Sequence, residues 1–212
     1  RLLAANADVN QASNEGCTPL YAACHAGHAE VATTLLAANA DMNQAANNNT
    51  TPLWNACRQG HGAVVTTLIA ANADVHQAVD DGRTPLHIAC QLGHTGIVAI
   101  LIAAGANVNQ RSASKGRTPL YIACEKGQTD VVTVLLAANA DVNLATDKAT
   151  TPLGIACAKG HGEIVTKLIA ENADVNQANN RGTTPLIVAC GEGHTEIAAK
   201  LLAANASVDQ AH

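Results

Sequence analysis

Cysteine and histidine recur together along this chain at a spacing that could support chemistry. Cys24 and His28 lie four residues apart. Residues i and i+4 share one face of a helix, so such a pair would suit half of a zinc site or a nucleophile with its general base. The pattern recurs at Cys57/His61, Cys90/His94, Cys157/His161 and Cys190/His194, and Cys124 is followed by Gln128. Catalytic sites are usually single, whereas scaffold positions repeat, so we predict no catalytic residue, no metal and no cofactor.

Repeats of about 33 residues position these pairs. The triplet TPL occurs six times, at intervals of 33 or 34 residues, with its Thr at 18, 51, 84, 118, 151 and 184. Each triplet opens a stretch such as TPLYAACHAGH, which runs into a block such as EVATTLLAANADMNQA. Self-similarity with this period is typical of a stacked repeat array.

The composition agrees with thin stacked layers. The chain has 212 residues, no Phe, one Trp and two Tyr, whereas a compact core of this size usually buries several aromatics. The net charge of −5 does not suggest nucleic-acid binding. No apolar run is long enough to cross a membrane and no secretory signal pattern is present, so we expect no membrane partner.

Each repeat contains signals for two helices. Thr before Pro is a good helix N-cap, and Gly27 stops the first helix. A second helix is predicted from about Ala29 to Ala38, with left-handed geometry at Asn39. The matching positions hold only Asn or Gly: Asn6, Asn72, Gly105, Asn139, Asn172 and Asn205. An extended ADVNQA-type segment and a turn should follow. Ala149 stands where the other turns have Gly or Asn, so we expect this finger to be looser or to bend differently.

The pattern resembles the ankyrin-repeat family, which has a period of 33 residues and a TPLHxA signature. TPLHIAC, the GH that follows and IVAILIAAGANVN match it closely, and the resemblance covers residues 1–212. It implies an all-α solenoid of stacked helix-turn-helix units with β-hairpin-like fingers. After a partial repeat at 1–12, we define repeats 1 to 6 as 13–45, 46–78, 79–112, 113–145, 146–178 and 179–211. A one-residue insertion lies within 111–117.

The resemblance also implies a function. In that family, fingers and first helices line a concave groove that binds partner proteins. We therefore expect a non-catalytic scaffold for an unidentified protein or peptide. Recognition should lie where the repeats differ, namely in the fingers, the first helices and position four of TPLH. The predicted partner-binding residues are Tyr21, His25, Trp54, Asn55, Arg58, Asp80, Asp81, Arg83, His87, Gln91, Lys115, Arg117, Tyr121 and Glu125.

Some of these residues admit two interpretations. The aromatics Tyr21, Trp54 and Tyr121 all occupy position four, where they would form a binding hot spot or fill space between layers. Asn55 would be a polar contact in the groove or an exposed substitution. The fingers of repeats 3 and 4 carry Arg83, Arg111, Lys115 and Arg117, which would dock an acidic partner segment or form solvated loops.

The cysteines of the six TPL stretches are expected to be small buried residues. Equivalent positions in stacked layers are about 10 Å apart, too far for disulfides. Six buried free thiols predict a reducing, intracellular and cytoplasmic setting. Cys17 lies beside a finger turn. It would be either a reactive or cross-linking thiol or an exposed thiol without a role.

Self-assembly into a homo-oligomer is the alternative function. Leu92, Ala99 and Ile100 make repeat 3 unusually apolar, and such a patch can mark a subunit interface. The array also lacks polar capping repeats. These features fit a fragment of a longer array or an association, natural or engineered, that covers its ends.

Overall fold

The computed structural model describes residues 8–207, and within that range it contains twelve α-helices and no β-strand. Each repeat contributes one helix pair, so the predicted all-α class is confirmed. The helices are α1 (Pro19–Ala26), α2 (Ala29–Ala37), α3 (Pro52–Gln59), α4 (Gly62–Ala70), α5 (Pro85–Leu92), α6 (Thr95–Ala103), α7 (Pro119–Lys126), α8 (Thr129–Ala137), α9 (Pro152–Lys159), α10 (Gly162–Ala170), α11 (Pro185–Gly191) and α12 (Thr195–Ala203).

The first helix of a repeat begins as its sequence predicts. Thr18 is extended, and its hydroxyl oxygen accepts a hydrogen bond from Tyr21 N at 3.1 Å. The same bond forms at four other first helices, where the capping residues are Thr51, Thr118, Thr151 and Thr184. Such a cap stabilises a helix by about 1 kcal/mol. At the start of α5, Thr84 N donates to His87 Nδ1 at 3.1 Å.

Helices end at residues with left-handed geometry. Gly27 closes α1 with a φ of 78°, and Asn39 follows α2 with a φ of 63°. Asn and Gly tolerate this conformation better than other residues. The prediction is also confirmed at Asn72, Gly105, Asn139, Asn172 and Asn205. Asn6 lies outside the described residues.

The fingers are tight turns closed by a backbone hydrogen bond. Ser13 N donates to Cys17 O at 3.0 Å, and the equivalent finger in repeat 4 runs from Ser112 N to Arg117 O at 2.9 Å, one residue longer. The expectation that Ala149 bends its finger differently is wrong. Ala149 adopts a φ of 56° and keeps the common geometry. Neighbouring interactions must offset its left-handed conformation, which costs about 1–2 kcal/mol in a residue with a Cβ.

The segment between second helix and finger is not extended throughout, in contrast to the prediction. Asp41 Oδ1 accepts from Asn43 N at 2.9 Å, which folds the segment into a turn. Asn43 Oδ1 in turn accepts from the backbone of the next repeat, at Asp74 N. The same link between neighbouring repeats joins Asn10 to Asp41, Asn109 to Asp141, Asn143 to Asp174 and Asn176 to Ser207. A side-chain amide therefore ties these layers together.

The chain forms two compact units. In the N-terminal unit (Arg1–Ala89 and His94–Asn107), α1 packs on α3, and α2, α4 and α6 pack in sequence. In the C-terminal unit (Cys90–Gly93 and Val108–His212), α9 packs on α7 and α11, and α10 packs on α8 and α12. Leu residues such as Leu53 and Leu153 fill the layers. Burial between neighbouring repeats is the main source of stability in such arrays.

Candidate functional site

The Cys/His pairs do not share a helix face. Cys24 lies inside α1, whereas His28 comes after the helix has ended and occupies the position before α2. In the later repeats, the histidine at this position contacts the end of the first helix of the preceding repeat. His61 Nε2 donates to His25 O at 3.1 Å, and a Cβ on Gly27 would lie only 2.8 Å from the same ring. This position therefore serves packing between repeats.

Five of the seven thiols are buried, which corrects the predicted set of six. Cys24, Cys57, Cys90, Cys124 and Cys157 are buried, but Cys190 is exposed. Five thiols are thus buried rather than six, because no further helix pair packs on α11 in the described residues. Burial raises the pKa of Cys24 and of Cys157 to about 12. It raises the pKa of the other three buried thiols still further. All seven cysteines are unpaired, and Cys17 is half-buried.

The described part of the chain contains neither a cluster of metal-ligating residues nor a membrane-spanning helix. Across residues 8–207, no group of three or more His, Cys, Asp or Glu is arranged to hold a metal ion. No described helix has the length and apolar character needed to cross a membrane.

In the N-terminal unit, predicted site residues from neighbouring repeats contact one another. The side-chain amide nitrogens of Asn55 and Gln59 lie 3.2 and 3.3 Å from Nδ1 of His25, within hydrogen-bond distance. The Tyr21 hydroxyl lies 3.0 Å from Thr50 Oγ1, which joins first helix to finger. Polar side-chain contacts therefore join α1 to α3 and to the finger of repeat 2.

Burial separates the predicted site residues into two groups. Trp54, Asn55 and His87 are 6%, 2% and 0% exposed. The indole Nε1 of Trp54 has no hydrogen-bond partner within the described residues. Burial favours the space-filling interpretation of Trp54, and it shows that Asn55 is not an exposed substitution. Tyr21 is half-buried, while His25 and Arg58 are exposed, and the Arg58 guanidinium lies 5.8 Å from the centre of the Trp54 ring.

The finger of repeat 3 carries a local ion pair. Arg83 Nε donates to Asp81 Oδ2 at 2.7 Å, and both side chains are about one-third exposed. Asp80 is exposed and accepts a hydrogen bond from the side-chain amide of Asn49 in the preceding finger. An exposed ion pair contributes at most about 1 kcal/mol, so this finger is set by local contacts rather than by a strong salt bridge.

In the C-terminal unit, Arg117 joins two predicted site residues. It contacts Glu125 Oε2 at 3.3 Å, and its guanidinium lies 5.5 Å from the centre of the Tyr121 ring. Tyr121 is only 6% exposed, so burial raises the pKa of its hydroxyl although Arg117 opposes the shift. Lys115 is exposed and Gln91 is half-buried. Lys115, Arg117 and Tyr121 line one cleft of about 330 Å³.

Finger residues outside the predicted partner-binding set extend this cleft. Lys148 lines it, and also lines a neighbouring cleft with Asn180 and Arg181. Thr150 lines both of these clefts and a third, which contains Gly154. The sequence did contain one sign of the third cleft. The residue after TPL is glycine only in repeat 5, and this leaves space that a side chain fills in the other repeats.

Few large apolar side chains are exposed. Leu92 is 42% exposed and Ile100 is half-buried, and α6 carries no charged residue, which is also true of α4. Val31, Ile187 and Leu202 are also exposed.

Comparison with known proteins agrees with this architecture. The family model described as ankyrin repeats in three copies matches the chain over residues 1–79, 70–146 and 140–212. No curated protein sequence matches the chain significantly. Because the family matches span the whole length, with the helix pairs and fingers described above, the chain belongs to the ankyrin-repeat family.

Proposed function

We propose that this protein is a non-catalytic interaction scaffold that binds a partner protein or peptide through its fingers and first helices. Ankyrin repeats generally serve as protein–protein interaction modules and generally lack catalytic activity. The observation that supports this surface most directly is the polar network that joins His25, Asn55 and Gln59 between two repeats. Buried Asn55 orders the exposed side chains of His25 and Gln59 beside exposed Arg58, which lowers the entropy cost of binding.

Other observations support a non-catalytic role. The buried thiols have raised pKa values, whereas a nucleophilic cysteine needs a lowered one. The histidines at the recurring Cys/His positions pack against the preceding repeat. The five buried, unpaired thiols also support an intracellular, reducing setting.

Selection from a displayed library of random peptides and small domains, followed by affinity measurements, tests the proposal. Selected ligands should bind variants Arg58→Ala and Lys115→Ala more weakly than the original chain. Matched substitutions on second helices, Thr66→Ala in α4 and Lys167→Ala in α10, should leave affinity unchanged. Failure to select any ligand, or dependence on Thr66 and Lys167 alone, would contradict the proposal.

Self-association is the second candidate, and the exposure of Leu92 favours it. Light scattering over a concentration series would detect it as a mass that rises to a discrete oligomer. Replacing Leu92 with Lys should then return the protein to a monomer. A monomeric mass at every concentration would remove this candidate.

A further inference from the structure

We propose that the fingers and first helices of the C-terminal unit bind an acidic segment of the partner, with one apolar side chain of that segment in the pocket at Gly154. This inference rests on the proposed scaffold function and names the chemistry of the partner. Two observations support it. The cations without an ion-pair partner lie on the fingers and first helices, and repeat 5 has glycine, Gly154, where its neighbours have a large side chain.

The cations of the C-terminal unit differ by location. On the second helices, Lys167 and Lys200 pair with Glu163 and Glu196 one turn earlier. Arg111, Arg117 and Lys126 also have acidic neighbours. The cations of this unit that form no ion pair with any described residue all lie on fingers or first helices, and they are Lys115, Lys148, Lys159 and Arg181.

These cations are held in a row by the backbone. Asp147 N donates to Lys115 O at 3.2 Å, and Asn180 N donates to Lys148 O at 3.1 Å. The fingers of repeats 4, 5 and 6 are therefore bonded tip to tip. This fixes the order of Lys115, Lys148 and Arg181 along the surface before any partner binds. A row of unpaired positive charge attracts an acidic chain and speeds its association.

Acidic residues do not cancel this charge. Asp147 Oδ1 accepts from Arg111 at 2.7 Å, and Glu125 is occupied by Arg117. Glu192, at the end of α11, is the remaining acidic residue among the described fingers and first helices of this unit. An acidic segment could therefore bind these cations without first breaking an existing ion pair.

Gly154 opens a pocket beside this row. It lies within α9 at position four of TPL, where Tyr121 and Ile187 stand in the neighbouring repeats. The resulting pocket of about 130 Å³ is lined by Ala149, Ala158, Pro185 and Val188 together with polar Thr, Asn and Gln side chains. A cavity of about 150 Å³ can hold benzene, so this pocket has room for one aliphatic side chain.

Gly154 is not required by the backbone. Its φ is not positive, and a Cβ there would meet Thr151 Oγ1 at 3.3 Å, in the same capping arrangement that carries a side chain at Tyr121. Gly inside a helix costs about 0.5–1 kcal/mol relative to Ala. A side chain at this position is therefore compatible with the fold, and filling it should not unfold the protein.

Fluorescence anisotropy with a short labelled peptide, in which one leucine is flanked on both sides by Glu and Asp, tests the proposal. The full chain should bind this peptide, and added salt should weaken binding. Lys148→Glu should lower affinity about tenfold or more, because it reverses a charge at the contact. The matched variant Lys167→Glu, on the opposite helix layer, should bind as the original chain does.

A second peptide, with glycine in place of the leucine, isolates the pocket. Replacing leucine with glycine should cost about tenfold or more in affinity for the original chain. Gly154→Ile should bind both peptides equally weakly, while its thermal unfolding confirms an intact fold. Equal effects of Lys148→Glu and Lys167→Glu, or a Gly154→Ile variant that still prefers leucine, would overturn the inference. If library ligands bind the fingers while the acidic peptide does not bind, the scaffold function stands and this inference fails.

Discussion

The imidazole of His61 lies against Gly27 of the preceding repeat, with Nε2 3.1 Å from the carbonyl oxygen of His25. Two features therefore require glycine at position 27. Its φ is 78°, and the His61 ring occupies the space that a Cβ would need. The same arrangement places His94 against Gly60 and His194 against Gly160. The recurring Gly-His dipeptide is therefore a contact between successive repeats, made by the Gly of one and the His of the next.

Replacing Gly27 with Ala should destabilise the protein by about 2–3 kcal/mol, because conformational strain and a clash with His61 act together. Urea unfolding measures the effect. Gly193→Ala is the matched control: its φ is also positive at 75°, but nothing described lies within 4 Å of the new Cβ. It should cost only about 1 kcal/mol, from strain alone. Equal losses in the two variants would show that the His61 contact contributes nothing.

Replacing Ala149 with Gly should stabilise the protein, although Gly usually weakens a fold. The φ of 56° at Ala149 is strained for a residue with a Cβ. Removing the Cβ should gain about 0.5–1 kcal/mol after the added entropy of the unfolded chain is subtracted. The reverse change, Gly182→Ala at the next finger, has a φ of 72° and open space, and should destabilise by a similar amount. A less stable Ala149→Gly variant would contradict the assigned geometry.

Thiol labelling of the native protein should separate the cysteines into two classes. Cys190 is exposed and Cys17 is half-buried, so both should react with a maleimide within minutes at neutral pH. The five buried thiols should react only as fast as the structure opens. Mass spectrometry of digested protein assigns the labels. Rapid labelling of Cys57 or Cys124 would contradict the stacked layers.

Stability should fall at alkaline pH because buried thiols resist ionisation. Burial raises the pKa of Cys157 from about 9 to about 12, so above pH 9 the unfolded state loses a proton that the folded state keeps. The stabilising contribution is complete below pH 9 and is lost as pH rises toward 12. Each such thiol adds a slope of about −1.4 kcal/mol per pH unit to the free energy of unfolding. Cys157→Ala should reduce the slope by that amount in urea unfolding at several pH values, and an unchanged slope would contradict the assignment.

Replacing Trp54 with Ala should unfold the N-terminal unit more readily rather than act only on binding. Trp54 is 6% exposed, and truncating a buried Trp costs about 3–5 kcal/mol. Trp54→Phe is the control, since it keeps an aromatic ring and removes the indole N–H that has no described partner. It should cost clearly less. Circular dichroism during urea unfolding measures both. A stable Trp54→Ala variant that has lost ligand binding would support the hot-spot interpretation instead.

The fold could be predicted from the sequence because residues close in sequence determine where the helices of each repeat begin and end. The Thr-Pro pair and the Asn or Gly after each helix specify caps that need only nearby atoms. Ala149 shows the limit of this reasoning. Its geometry is set by the common finger and its neighbours, and these override the preference of Ala for negative φ.

The candidate site was less predictable because burial depends on the adjacent repeat. Nothing in TPLW distinguishes an exposed Trp54 from one covered by its neighbours. The ion pairs of Arg117 and Arg111 also join residues eight or more positions apart. These contacts decide which cations remain unpaired, so only the structure shows that Lys148 and Arg181 form no ion pair with a described residue.

Amide hydrogen exchange of the full chain, with and without a library-selected ligand, tests the central claim most directly. The proposed surface predicts slower exchange in the bound state at fingers such as 112–117, 146–150 and 179–183 and in the first helices beside them. The second helices α8, α10 and α12 should exchange as in the free protein. Slowed exchange confined to those second helices would contradict the assignment of the binding surface.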